Sequence, residues 1–138
     1  VTQPLLDLAP FEDHAAVFKG LSDPTRVAIL SLLLLQHEMC VCDIESVLGV
    51  TQSRCSRHLR YLANAGLVTA KRLGPWMHYR IASDVDPMRR AVIEALRTTL
   101  PGPSTTQLRE RLSACRRRME TTKPCVAPKT TQPILREE

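Results

Sequence analysis

Gly49-Val50-Thr51 separates two stretches of helical periodicity, and this short interruption limits what the surrounding chain can become. Before it, Ile44, Val47 and Leu48 recur at helical spacing from about Asp43, and Gly49 supplies the left-handed residue that ends a helix. After it, Thr51 caps a second helix in which Cys55, Leu59 and Leu62 fall at i, i+4 and i+7 on one face. Val50 packs the turn. Two helices joined by a turn of about three residues containing glycine form a helix-turn-helix, whose second helix enters a DNA groove.

Charge favours that reading over a chance match. The 138-residue chain carries a net charge of +5, unevenly spread. Residues 1–50 hold two basic and seven acidic side chains, whereas 51–80 hold Arg54, Arg57, Arg60, Lys71, Arg72 and Arg80 and no acid. A block without a carboxylate fits a polyanionic partner, since an ordinary solvated face is broken up by acids. Ser53, Arg57, Arg60 and Asn64 lie opposite the apolar face of the second helix, flanked by Arg54 and Ser56. Groove readers contact bases from the N-terminal part of this helix, so Gln52, Ser53, Arg54, Ser56 and Arg57 are the base and phosphate candidates. Gln suits adenine and Arg suits guanine, which fixes no operator sequence. His58 stands at the flank, for a phosphate contact or a structural hydrogen bond.

Gly66 ends the helix and two alternating runs follow, Leu67 to Arg72 and Trp76 to Ile81, around Leu73-Gly74-Pro75. A basic hairpin directly after a recognition helix is the wing of a winged helix-turn-helix, with Lys71, Arg72 and Arg80 on or near the phosphate backbone. Trp76 is read as a packing residue rather than a base-stacking one.

Pro10 to Gly20 forms a partly apolar helix bearing Phe11, Ala15, Val17 and Phe18, with Gly20 as its C-cap. Asp23-Pro24 is a strong start signal for a helix to about Gln36, apolar nearly all round and therefore central. Arg26 is its polar exception, for a phosphate, a carboxylate or the surface. Asp86-Pro87 starts a helix to about Thr99 whose stripe of Met88, Ala91, Val92, Ala95 and Leu96 needs a partner, and dimerisation with the first helix fits. The expected fold is mainly α with a small β-hairpin, a homodimeric winged helix-turn-helix over residues 1–100. A linker and a basic helix carrying Cys115 follow over 101–120, and 121–138 is a disordered tail.

No apolar run reaches the ~18 to 20 residues of a membrane span, and no signal peptide opens the chain, so a cytoplasmic, membrane-free protein is expected. Five cysteines in a reducing compartment then point to metal binding, redox chemistry or packing rather than disulfides.

Together these residues resemble the ArsR/SmtB family of metal-sensing bacterial repressors over about Phe11 to Leu100. The resemblance rests on Leu21-Ser22-Asp23-Pro24-Thr25-Arg26, on Glu38-Met39-Cys40-Val41-Cys42-Asp43, on the S-x-x-S-R-H-L pattern of Ser53 to Leu59, and on His78-Tyr79-Arg80. It implies a homodimer that binds a palindromic operator and leaves it when metal binds. Arsenic-responsive members often carry a third cysteine three residues after the second, where this chain has Glu45. The family's zinc site on the dimer helix has no counterpart, because no histidine occurs between Ala82 and Glu138.

Soft thiolates select thiophilic ions, so arsenic or antimony in the trivalent state is the expected inducer, with Cd(II) or Pb(II) as alternatives. An extended approach to the third helix would point Cys40 and Cys42 to one side. Cys42 stands where a capping Ser or Thr is expected, with Glu45 at the reciprocal capping-box position, and the helix dipole there lowers a thiol pKa. Trivalent arsenic takes three thiolates. Cys55, which bridges to the recognition helix, is the leading third ligand against a core role, and Cys115 and Cys125 are the alternatives. A thiol-redox trigger is a second regulator reading. A dithiol oxidoreductase is disfavoured by the helical setting, so no enzyme is expected.

Overall fold

In the computed structural model, which describes residues 2–100 and 102–121, helices surround a small antiparallel sheet. The order is α1 (Ala9–Gly20), α2 (Pro24–Leu35), β1 (Met39–Cys40), α3 (Val41–Leu48), α4 (Gln52–Asn64), β2 (Val68–Leu73), β3 (Trp76–Ile81), α5 (Pro87–Thr99) and α6 (Pro103–Thr121). Among the described residues no helix is long and apolar enough to cross a membrane.

α2 is the central post. Asp23 Oδ1 accepts from the N–H groups of Thr25 at 2.8 Å and Arg26 at 3.3 Å, and Pro24 sits at a helical position that needs no N–H. Ile29, Leu30 and Leu32 are fully buried among Val17, Ile44, Leu59, Leu62, Leu67 and Tyr79. Each such side chain contributes roughly 1.5–3 kcal/mol by leaving water.

α1 ends differently from the expectation. Gly20 is its last helical residue and Leu21 is the C-cap, so the glycine is not a left-handed stop. A Cβ on Gly20 would stand 3.2 Å from the Ala65 Cβ, so its use is to let α1 approach the end of α4.

β1 is absent from the sequence reading, because two residues carry no alternation to detect. It joins the hairpin in the order β1-β3-β2, with Met39 opposite Tyr79 and Cys40 opposite His78. β2 runs one residue further than expected, to Leu73, which pairs with Trp76. That leaves Gly74-Pro75 as a two-residue turn, with Gly74 at φ 62° as such hairpins require.

The α5 stripe splits in two. Ile93 is buried and Met88, Val92 and Leu96 pack against the core, while Ala91 and Ala95 face outward. Arg89 ties α5 down: Nε donates to the Ala65 carbonyl at 2.7 Å, and the guanidinium pairs with Asp13 of α1 at 2.6 Å and Asp86 at 2.7 Å. α6 packs on α2 and α3, with Thr105, Leu112 and Cys115 buried. The tail expected from Thr121 onward lies, beyond that residue, outside the described residues.

Candidate thiolate site and nucleic-acid interface

Pairing of Cys40 with His78 keeps the chain extended as far as Cys40, so α3 begins directly after it, two residues earlier than expected. The N-cap is therefore Cys40 and not Cys42: Cys40 Sγ accepts from the Cys42 N–H at 3.3 Å. Its side chain folds back over the first turn, which brings the Cys40 and Cys42 sulfurs to 2.9 Å. Their meeting is a capping geometry and not strand alternation. The thiol of Cys42, then the N–H groups of Cys42 and Asp43, outweigh burial and the Asp43 charge and bring Cys40 down to about 6.

The expected capping box does not form. Glu45 Oε1 is buried with no hydrogen-bond partner among the described residues, and burial followed by the nearby Cys40 pushes its carboxyl up. Cys55 is fully buried on the inner face of α4, where burial, Glu45 and Cys40 push it up to about 12. Cys115 on α6 is 3% exposed, and its Sγ lies 4.0 Å from Asp43 Oδ1. Burial and the Asp43 carboxylate raise its pKa, against the opposing guanidinium of Arg118. Cys125 lies outside the described residues.

Cys40 and Cys42 are thus brought together, and Cys55 and Cys115 both lie close enough to feel charge at Cys40. Among the described residues no three Cys, His, Asp or Glu side chains form a group that could hold an ion. Two touching sulfurs, one inclined to the thiolate, fit two positions around a thiophilic centre, and the third position is not assembled.

α4 is capped by Thr51, whose Oγ1 accepts from the Arg54 N–H at 3.4 Å. Ser53, Arg54, Arg57 and Arg60 are exposed, and Gln52, Ser56 and His58 are half-buried at the edge of the same face. Lys71, Arg72 and Arg80 are exposed on the wing. Among the described residues no carboxylate pairs with any of these cations. The register separates them: Lys71 faces His78 and Thr69 faces Arg80, so Lys71 and Arg80 share one face of the hairpin with Trp76. Arg72, opposite Met77, stands on the other face.

Arg26 takes none of the roles expected for it. It is 8% exposed, with Nε donating to the Gly20 carbonyl at 2.7 Å and Nη2 to the Lys19 carbonyl at 2.9 Å. Nη1 lies 3.3 Å from His58 Nδ1, and the guanidinium stacks 4.6 Å over the Tyr61 ring. It fastens the C-terminus of α1 to the recognition helix, a contact between segments far apart in sequence that no local pattern announces. His58 Nδ1 is engaged there.

The profile of the family described as "Bacterial regulatory protein, arsR family" matches residues 23–70, from the α2 cap into the first strand of the wing. The arsenic resistance transcriptional regulator ArsR1 of Pseudomonas putida is 37% identical over 83 residues, which cover 57% of this chain and 65% of that protein. An uncharacterised HTH-type transcriptional regulator of Methanocaldococcus jannaschii is 43% identical over 74 residues, 54% of this chain and 83% of that one. Among solved structures, the homodimeric winged helix-turn-helix DNA-binding domain of a Mycobacterium bovis protein superposes with a TM-score of 0.58 at 29% identity, covering 70% of this chain and 86% of that one. The antimony-specific transcriptional repressor AntR superposes with a TM-score of 0.53 at 30% identity, covering 67% and 81%. The named relatives are transcriptional regulators rather than enzymes. With a helix-turn-helix, a basic wing and a paired-thiol helix start in one frame, the chain belongs to the arsR family of bacterial regulatory proteins.

Proposed function

We propose that this protein is a cytoplasmic repressor that binds a palindromic operator as a homodimer and is released when trivalent arsenic or antimony binds Cys40 and Cys42. The observation that carries the proposal is the 2.9 Å approach of the two sulfurs at the start of α3, the helix directly before the recognition helix. The names of similar proteins, an arsenic resistance regulator and an antimony-specific repressor, support the choice of inducer. Gln52, Ser53, Arg54, Ser56 and Arg57 face the groove and His58 its edge, with Arg60, Lys71 and Arg80 toward phosphates and Arg72 on the other face of the wing.

The mechanism follows from adjacency. Drawing both sulfurs and a third ligand onto one centre turns the first turn of α3, and only Gly49, Val50 and Thr51 separate α3 from α4. The two recognition helices of a dimer must lie about one DNA turn, ~34 Å, apart, so a small tilt misplaces both. A coupling of about 1–3 kcal/mol is the usual allosteric scale and lowers DNA affinity roughly 5- to 150-fold.

The test is arsenite titration of a protein–DNA complex, using a duplex selected from random sequence and followed by fluorescence anisotropy. The wild type should dissociate, and Cys40→Ser and Cys42→Ser should remain bound. Normal release from both variants would refute the proposal. The same 2.9 Å approach also suits oxidation of the pair. Release by an oxidant in arsenic-free buffer, reversed by dithiothreitol alone, would favour that second reading.

A further inference from the structure

α6 lies along α3 from one end to the other. Near the helix-turn-helix turn, the Arg111 guanidinium is 3.5 Å from where a Cβ on Gly49 would stand. One turn further along α3, Arg118 Nη2 donates to Ser46 Oγ at 2.9 Å. At the thiol end, Cys115 Sγ meets Asp43 Oδ1 at 4.0 Å, and Arg116 donates to Gln36 Oε1 just before β1. A buried cysteine is thereby set against the residue that follows Cys42. We propose that Cys115 is the third thiolate of the site, so that a trivalent arsenic or antimony centre fastens α6 to the start of α3. The inference rests on the assignment of Cys40 and Cys42 made above and supplies the ligand that assignment lacks.

Cys115 is better placed than Cys55 to move. Cys55 is fully buried in the core with Leu59 and Leu62 on the recognition helix, and withdrawing it would open a cavity. α6 is exposed along most of its described length and packs inward through Thr105, Leu112 and Cys115, and the hydrogen bonds of its Arg116 and Arg118 to Gln36 and Ser46 re-form after a small slide. The step is a ligand substitution without redox change. Arsenous acid loses its three hydroxides as water, each with one thiol proton, and three As–O bonds give way to three As–S bonds. Because α6 also touches Gly49, its capture bears on both ends of α3 at once.

The test uses the full chain, sodium arsenite as probe, and the variants Cys42→Ser, Cys55→Ser, Cys115→Ser, Cys115→Ala and Cys125→Ser. Arsenic coordination is read by X-ray absorption, and α6 accessibility by tryptic cleavage after Arg116, Arg117 and Arg118 with and without arsenite. The wild type, Cys55→Ser and Cys125→Ser should give three sulfurs, and arsenite should slow cleavage within α6. Both Cys115 variants should give two sulfurs, bind about a hundredfold more weakly, and show no slowing. Three sulfurs in the Cys115 variants, or loss of the third in Cys55→Ser, would overturn the proposal. So would wild-type cleavage that ignores arsenite, a result that needs no variant to fold. Unchanged binding in Cys42→Ser would instead overturn the assignment of the pair itself.

Discussion

The four described cysteines differ in what surrounds them, and their chemistry should separate accordingly. Cys40 is held down to about 6 by the Cys42 thiol and two backbone N–H groups, while burial pushes Cys55 up to about 12. Thiolate is the form that is alkylated. The Cys40–Cys42 pair should therefore react with iodoacetamide well before Cys55 at pH 7, at a rate that falls as pH drops through about 6. Peptide mass spectrometry over a pH series checks this, and early labelling of Cys55 would contradict the buried setting. Arg26 carries a second prediction. Arg26→Ala removes the donor to the Gly20 carbonyl, while the Lys19 carbonyl keeps Ser22, and should cost about 1–3 kcal/mol, seen as a lower urea midpoint. Burial and the cations Arg26, Arg54 and Arg57 hold His58 below its ordinary value of 6.5 against the pull of Asp23. The stability from neutral His58 is thus present above that value and lost as pH falls below it. The pairing of Cys40 with Cys42 was legible in the sequence. Which of them caps α3 was not, because the answer depends on a strand pairing with residues nearly forty positions away.

At the level of elements, the recognition helix and its wing were readable because each is specified locally: a cap at Thr51, an apolar stripe, a glycine turn and a run of cations. What the hairpin register adds is a division among those cations. Lys71 and Arg80 share one face, and Arg72 stands on the other. Lys71→Ala and Arg80→Ala should each reduce the slope of log affinity against log salt by about one, as loss of a phosphate contact does, and Arg72→Ala should change it less. Anisotropy titrations at several salt concentrations measure those slopes. An Arg72→Ala slope equal to the other two would mean that both faces meet the backbone. The junction after α4 is equally constrained, although its sequence announces only a helix stop. Gly66 has φ 73°, and a Cβ there would stand 2.7 Å from Arg89 Nε, inside the bridge that joins α5 to Asp13 and Ala65. Sequence supplies the glycine. The arginine that crowds it comes from the next helix.

For the whole molecule, the single chain leaves an apolar surface at its N-terminal end. Leu5, Leu6, Leu8, Phe11 and Phe18 are 58–98% exposed, while Val17 and Gly20 are the α1 residues turned inward. On α5, Ala91 and Ala95 also face outward, small enough to let another helix approach. Exposed large apolar side chains, with Phe11 and Phe18 seven residues apart on one face of α1, mark an interface, and for a DNA reader of this fold a second copy is the partner that doubles the recognition helix. On the proposed function, affinity for a two-fold site depends on two recognition helices held about one helical turn apart. Replacing Phe18 with Asp puts a charge into that surface without touching the buried core, since Phe18 is 60% exposed in the single chain. The variant should keep its helical circular dichroism, sediment as a monomer and bind an operator duplex at least about tenfold more weakly, because two linked contacts become one. Analytical ultracentrifugation and anisotropy on the same samples distinguish the outcomes. A Phe18→Asp protein that is still a dimer with full affinity would remove α1 from the interface and leave α5 to form it alone.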